Sequence, residues 1–195
     1  MTQPILMAQD SQPTRSDAVK NRALLLETAA RLFAEKDVHD VSATDIAEAA
    51  GVGKGTLYRH FPNGKTDICI ALLDEEQRNL QNRVLEYLQT HHDPRNNLEW
   101  FLSEAFTFVE RNRSLLCAGV EGKSGLEHPA HWWWRQTIYG LLLQMNVPGD
   151  LEYIADSLYI MLDVSIVFYL QSVRGYESAR MRDNLLSMFN RLTAA

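Results

Sequence analysis

A chain of 195 residues with 46% hydrophobic and 23% charged side chains has enough apolar material to bury a full core, and is neither disordered nor membranous in composition. Its net charge of −6 and isoelectric point near 5.5 exclude a generally basic, non-specific nucleic-acid binder. The distribution is uneven: residues 1–66 hold eight basic and eight acidic side chains, whereas residues 67–195 hold eleven and seventeen. An acidic body carrying a neutral head would approach DNA by the head. Cys69 and Cys117 stand far apart in no metal-like spacing, so a reduced cytoplasmic compartment is expected, with no metal or other cofactor. Met1 to Ala8 lacks the basic and long apolar regions of a signal peptide. The longest apolar stretch, Leu158 to Val173, contains Asp163 and falls short of the roughly 18 apolar residues of a membrane span.

In chain order, residues 1–14, with Pro4 and Pro13, read as a flexible N-terminal arm. A helix from about Ser16 to Lys36 follows, with Leu25, Ala29, Leu32 and Phe33 as its apolar stripe. Arg15, Lys20 and Arg22 at its start are either backbone-contacting cations or ordinary solvated charges. Ser42 and Asp45 then form a helix N-cap signature, and Ile46, Ala47 and Ala50 fall on one side of a two-turn helix. Gly51 ends it, since glycine adopts the left-handed conformation of a helix C-terminus without a Cβ penalty. A second short helix begins near Lys54, on which Leu57 and Phe61 face inward together. Lys54, Thr56, Tyr58, Arg59 and His60 remain outside, all able to donate to a phosphate or a base edge. Between Val52 and Cys69 the one acid is Asp67. A solvated hairpin with an idle polar face is the plainer alternative, but small residues at Ala47, Ala49, Ala50, Gly51, Gly53 and Gly55 and the acid-free face favour a DNA-binding helix-turn-helix.

Ile46-Ala47-Glu48-Ala49-Ala50-Gly51-Val52, then Gly55-Thr56-Leu57-Tyr58, then His60-Phe61, resemble the DNA-binding signature of the tetracycline-repressor (TetR) family, over roughly Leu25 to Ile68. Beyond that the likeness is one of length and helical layout. The resemblance implies that Ser42 and Thr44 sit at the edge of the major groove, that Lys54, Gly55 and Thr56 enter it, and that Tyr58 and His60 hold phosphates, with Arg59 on the same donor face. Lys65 corresponds to a phosphate-contacting lysine, although Pro62-Asn63-Gly64 is one residue longer than the usual family spacing. Gly53 stands where many members have a capping Ser, a change that weakens the cap by only a few tenths of a kcal/mol.

A long helix from about Thr66 to Thr90 follows, apolar at Ile68, Leu72, Leu80, Val84 and Leu88 and interrupted by Glu75-Glu76-Gln77, where it is expected to pass from head to body. His91-His92-Asp93-Pro94 closes it. The next helix, about Arg95 to Asn112, carries Leu98, Phe101, Leu102, Ala105 and Val109 on one face, and Leu115 to Ala118 forms another short helical piece. Gly119 to Gly125 reads as a flexible connector. Its Gly122-Lys123-Ser124 echoes the end of a phosphate-binding loop, but Cys117 replaces the earlier glycine and no strand precedes it. Pro129 opens a helix to about Met145, on which Trp132, Trp133 and Trp134 step about 100° apart and so cannot share one environment. His128 and His131 lack the further ligands of a metal site. Leu151 to Val173 reads as one helix apolar all round, and Glu177 to Leu192 as a last helix with Met181, Leu185, Met188, Phe189 and Leu192. These two are expected to pair with their copies as a four-helix dimer interface, within which Phe189 is placed.

No strand, repeat or catalytic constellation is apparent. The expected fold is all-α: a flexible N-terminal arm over 1–14, a three-helix helix-turn-helix head over 15–65, and a larger helical ligand-binding and dimerisation body over 66–195. The expected function is that of a ligand-responsive transcription regulator, most often a repressor in the family resembled, binding a palindromic double-stranded operator as a homodimer without a membrane. A helical enzyme, or a module that turns the hairpin against a protein partner, is the alternative. The expected effector is a small apolar or aromatic molecule in a cavity between the Thr66–Thr90, Arg95–Asn112 and Pro129–Met145 helices, lined by Trp100, Phe108, Trp133 and Trp134 with Glu104 and Glu121 as polar walls. Simple core packing of those aromatic residues is the competing account.

Overall fold

The computed structural model describes residues 15–119 and 129–193, and among these it contains ten α-helices, one short 3-10 turn and no strand. The chain folds as two compact units divided after Ile68.

The first unit is built on α1 (Arg15–Glu35), a 3-10 turn (Val38–Asp40), α2 (Ala43–Ala49) and α3 (Lys54–His60). Leu25, Ala29, Ile46, Ala47, Leu57 and Phe61 are all buried, so the three helices share one apolar centre. The expected N-cap is a complete capping box: the Asp45 amide donates to Ser42 Oγ at 3.1 Å, and the Ser42 amide donates to Asp45 Oδ2 at 2.8 Å. Gly51 has φ +66°, and the Val52 amide beyond it donates to Ala47 O at 3.0 Å, the helix-ending bond that a left-handed residue permits. Gly53 precedes α3 without a side-chain cap. The 3-10 turn was not foreseen from periodicity, being too short to have one; Asp37 caps it by accepting from the His39 amide at 2.8 Å.

α4 (Lys65–Thr90) begins in the first unit and continues in the second, which adds α5 (Pro94–Arg111), α6 (Arg113–Gly119), α7 (Pro129–Gln144), α8 (Leu151–Ile160), α9 (Val164–Ser172) and α10 (Ser178–Leu192). α5 is the central element. It buries Leu98, Phe101, Leu102, Ala105, Phe106, Phe108 and Val109, more than one stripe, because it packs against α7, α9 and α10 at once. Asp93 caps it by accepting from the Asn96 amide at 2.9 Å, with Pro94 at its first position, where the missing N–H costs nothing. Arg135 of α7 reaches Asp156 and Glu152 of α8, tying those two helices at their surface.

Two expectations about the C-terminal helices are corrected. Leu151 to Val173 is not one helix: it breaks between α8 and α9, whose axes differ by 49°. Asp163 is the reason, since its carboxylate accepts from the Ser165 amide at 2.8 Å and caps a new helix. Phe189, expected at a subunit interface, is 0% exposed within the single chain. Met181, Leu185 and Phe189 repeat every four residues and form the inward stripe of α10 against α5 and α8, leaving Met188 and Leu192 exposed. No single described helix is long and apolar enough to cross a membrane.

Candidate nucleic-acid interface and effector-binding residues

α3 turns part of its expected donor set outward. Leu57 is buried, whereas Lys54, Gly55, Tyr58 and Arg59 are exposed and Thr56 is half-buried; Tyr58 retains 49% of its surface. The one acid of the segment, Asp67, is held against the preceding turn: its carboxylate accepts from the Asn63 amide at 2.8 Å and from Asn63 Nδ2 at 3.0 Å. Thr44 on α2 is half-buried.

Two expected DNA contacts have structural partners instead of, or in addition to, a free outward face, and a third is half-buried. The Ser42 hydroxyl accepts from the Asp45 amide and donates to Asp45 Oδ2 at 2.7 Å, so both its oxygen and its proton serve the cap. Lys65 Nζ donates to the Val38 carbonyl at 2.9 Å, linking the start of α4 to the 3-10 turn. His60 is half-buried, with Nε2 enclosed in the head and without a hydrogen-bond partner. Burial, with Arg59 and Arg22 nearby, pushes its pKa below the usual imidazole value. Arg22 itself lies over the Phe61 ring, 5.2 Å from the centroid. Residue spacing carried no sign of the Lys65 and Arg22 contacts, which join residues 27 and 39 positions apart.

In the second unit the three tryptophans do occupy three environments: Trp132 is 66% exposed, Trp133 half-buried and Trp134 buried. Trp133 and Trp134 both meet Phe101 edge-on, and Trp134 meets Phe108 in the same way at 5.3 Å. Trp100 stacks flat on Tyr87 at 3.8 Å. Much of the expected effector lining is therefore engaged in aromatic packing within the unit. Glu104 pairs with Arg83 at 3.3 Å. Glu121, the Gly122-Lys123-Ser124 echo and His128 lie outside the described residues.

One polar residue of this region was missed. Gln77, read as part of an interruption in the stripe of α4, is only 8% exposed, and its Oε1 accepts from Trp134 Nε1 at 3.0 Å. An indole N–H only donates, so the carbonyl oxygen of Gln77 must face it and the Nε2 must face away. That Nε2 has no hydrogen-bond partner, and neither does the hydroxyl of Tyr159, also 8% exposed. The local sequence Glu75-Glu76-Gln77 gave no hint, because the partner lies 57 residues on.

A separate cavity of about 280 Å³ opens between α5, α9 and α10, with Phe106, Met161, Leu170 and Met181 inside and Arg180 and Asn184 as polar lining. Arg180 is itself stacked over Tyr176 at 3.9 Å.

The first helices match the family described as bacterial regulatory proteins, tetR family, over residues 25–72. What is shown is a tetR-type DNA-binding segment over those residues. It is 38% identical over 85 residues to an HTH-type transcriptional regulator of Staphylococcus aureus strain bovine RF122 / ET3-1, and 39% identical to one of strain USA300. The match covers 44% of this chain and 44% of each of those relatives, so the chain spans less than half their length. The whole TetR-type architecture is matched in solved structures. A TetR-family regulator of Pectobacterium atrosepticum aligns over 92% of this chain and 95% of its own, at a TM-score of 0.69 and 19% identity. A regulator of Saccharomonospora viridis, solved in complex with choline, aligns over 89% and 96%, at a TM-score of 0.64 and 25% identity. These relatives and neighbours are described as transcription regulators.

Proposed function

We propose that this chain is a ligand-responsive transcription regulator, most simply a repressor, that binds a two-fold-symmetric operator as a homodimer. The observation that carries the reading is the exposed face of α3, where Lys54, Gly55, Tyr58 and Arg59 stand clear while the one nearby acid is folded into a turn. A short helix with this profile fits the major groove, where its first residues reach base edges and its flanks reach phosphates. Lys54, Thr56 and Thr44 are assigned to base contacts, and Tyr58 and Arg59 to phosphates. The partner reading is supported by the exposed apolar side chains on α9 and α10, Ile166, Phe168, Tyr169, Met188 and Leu192, which a second copy would cover. The effector reading is supported by a neighbour of the same fold solved with choline and by the unsatisfied polar groups beside Trp134 and on α8.

A mobility-shift titration against the DNA upstream of the chain's own reading frame tests the proposal. Tyr58→Phe is expected to weaken binding on all sequences alike, and Lys54→Ala to alter base preference, since phosphate contacts position and base contacts specify. Affinity should fall steeply with salt. Unchanged operator affinity in the Tyr58→Phe, Lys54→Ala double variant would overturn the assignment of this face.

A further inference from the structure

We propose that the effector recognised by the second unit is a neutral molecule with an apolar or aromatic frame and hydrogen-bond-accepting oxygens, a ketone, ester or amide, held by Gln77 Nε2 and Tyr159 OH. This rests on the effector reading above and names the chemical class it takes.

Gln77 is more than nine-tenths buried, and the donor-only indole of Trp134 fixes its amide the one way round that leaves Nε2 with two unused protons. Tyr159 is equally buried and its hydroxyl is also unused. The two belong to different helices, α4 and α8, but border the same side of α7: Gln77 bonds Trp134, and the Tyr159 ring meets His131 edge-on at 5.5 Å. His131 and Trp134 are three residues apart and thus neighbours on one helix face, separated by about 4.5 Å along its axis. Two buried groups with unmet hydrogen bonds, each against an aromatic ring on one face of α7, offer donors that an incoming molecule would satisfy.

The chemistry selects the class. Amide protons require an acceptor, and the phenol can serve one as well. The buried polar side chains among the described residues are Thr28, Gln77, Asn97, Asn112 and Thr193, with no buried cation. Arg135, on the same helix, is taken up by Asp156 and Glu152. The His131 imidazole, edge-on to the Tyr159 ring, is the neighbouring group that could take a charge; a carboxylate would depend on its protonation, whereas a carbonyl oxygen needs no counter-ion.

Calorimetric titration of the full chain with three matched probes tests this: 2-acetylnaphthalene, 2-ethylnaphthalene, which lacks the acceptor, and 2-naphthoate, which is charged. The ketone is expected to bind at least about tenfold more tightly than either of the others, because a site with buried donors rejects an analogue that cannot satisfy them. Tyr159→Phe and Gln77→Met should each erase much of that preference, and Tyr159→Phe should not lower the melting temperature of the ligand-free protein. If Gln77→Met fails to fold, since it strands the Trp134 N–H, the Tyr159→Phe comparison decides alone. Equal affinity for ketone and hydrocarbon, no binding of either, or a preference that survives in every folded variant would overturn the proposal and leave bound water as the partner of these groups. The titration contains no DNA, so its failure with an intact operator shift would remove only this inference, and loss of the shift with an intact ketone preference would remove only the regulator reading.

Discussion

Lys65 Nζ donates a hydrogen bond to the Val38 carbonyl at 2.9 Å, joining the first residue of α4 to the 3-10 turn that precedes α2. The bond is partly buried and charge-assisted, and Val38 itself is buried, so the contact braces the helix-turn-helix from below its own sequence. Lys65→Met keeps the length of the side chain and removes the donor. It should destabilise the first unit by roughly 1.5 kcal/mol, the lower end for a hydrogen bond with one charged partner because the ammonium is not fully enclosed. Chemical denaturation followed by far-ultraviolet circular dichroism would measure it. If the melting behaviour is unchanged but operator affinity falls, Lys65 acts on phosphate and not on the turn.

Gly64 offers a second route to the DNA face without touching it. Its φ is +61°, and a Cβ added there would lie 3.3 Å from Tyr58 Cε1 and 3.4 Å from the Ala43 side chain. Gly64→Ala therefore combines a left-handed backbone penalty of about 1–2 kcal/mol with pressure on the Tyr58 ring. The expected outcome is a less stable head and weaker operator binding, with the loss uniform across sequences because Tyr58 is assigned to phosphate. A variant with normal stability and affinity would show that the turn relaxes freely and that the ring position is not critical.

The head should lose stability on acidification in two windows. His60 has a folded pKa below its ordinary value of about 6.5, chiefly through burial, so the unfolded chain binds the proton first. Its contribution is full above the unfolded value and is lost as pH falls through the folded one. Asp45 follows at lower pH. Its pKa is lowered from 3.8 chiefly by the Ser42 side-chain hydrogen bond, then by the Ser42 amide, so the cap is intact above about pH 4 and opens as the carboxylate protonates. Denaturation midpoints between pH 7 and 3 should fall in both stages. His60→Asn should flatten the upper stage, and Ser42→Ala the lower; a parallel decline in both variants would locate the acid sensitivity elsewhere.

The features legible in the sequence are the local ones. Ser42 and Asp45, Gly51, and Leu57 with Phe61 act on residues one to five positions away, so their spacing carried the geometry of the helix-turn-helix. The three-way split of Trp132, Trp133 and Trp134 was likewise dictated by helical rotation. What escaped was non-local. Nothing near Gln77 announces an indole 57 residues away, and nothing near Lys65 announces the Val38 carbonyl. The break before α9 is intermediate: Asp163-Val164-Ser165 is a local cap signal, but it is set in so apolar a run that hydrophobicity alone hid it.

Phe189 and Phe168 separate two roles that a helical pattern alone merges. Phe189 belongs to the core of one chain, fully covered by it, so Phe189→Ala should cost about 3–5 kcal/mol through lost transfer and a cavity, whatever the oligomeric state. Phe168 on α9 is 47% exposed in the single chain and stands at the middle of a helix whose other exposed apolar residues include Ile166 and Tyr169. Phe168→Glu therefore costs a folded single chain little, but places a charge where the proposed partner copy would close over it. Light scattering at micromolar concentration should give about twice 22.3 kDa for the parent protein and a value near 22.3 kDa for Phe168→Glu with unchanged helicity. Met188→Glu on α10 should act in the same direction, since it too is left exposed while Leu185 and Phe189 turn inward. A parent protein that scatters as a single well-folded chain, or a Phe168→Glu, Met188→Glu double variant that remains dimeric, would place the two-fold contact on another surface and with it the spacing of the operator half-sites.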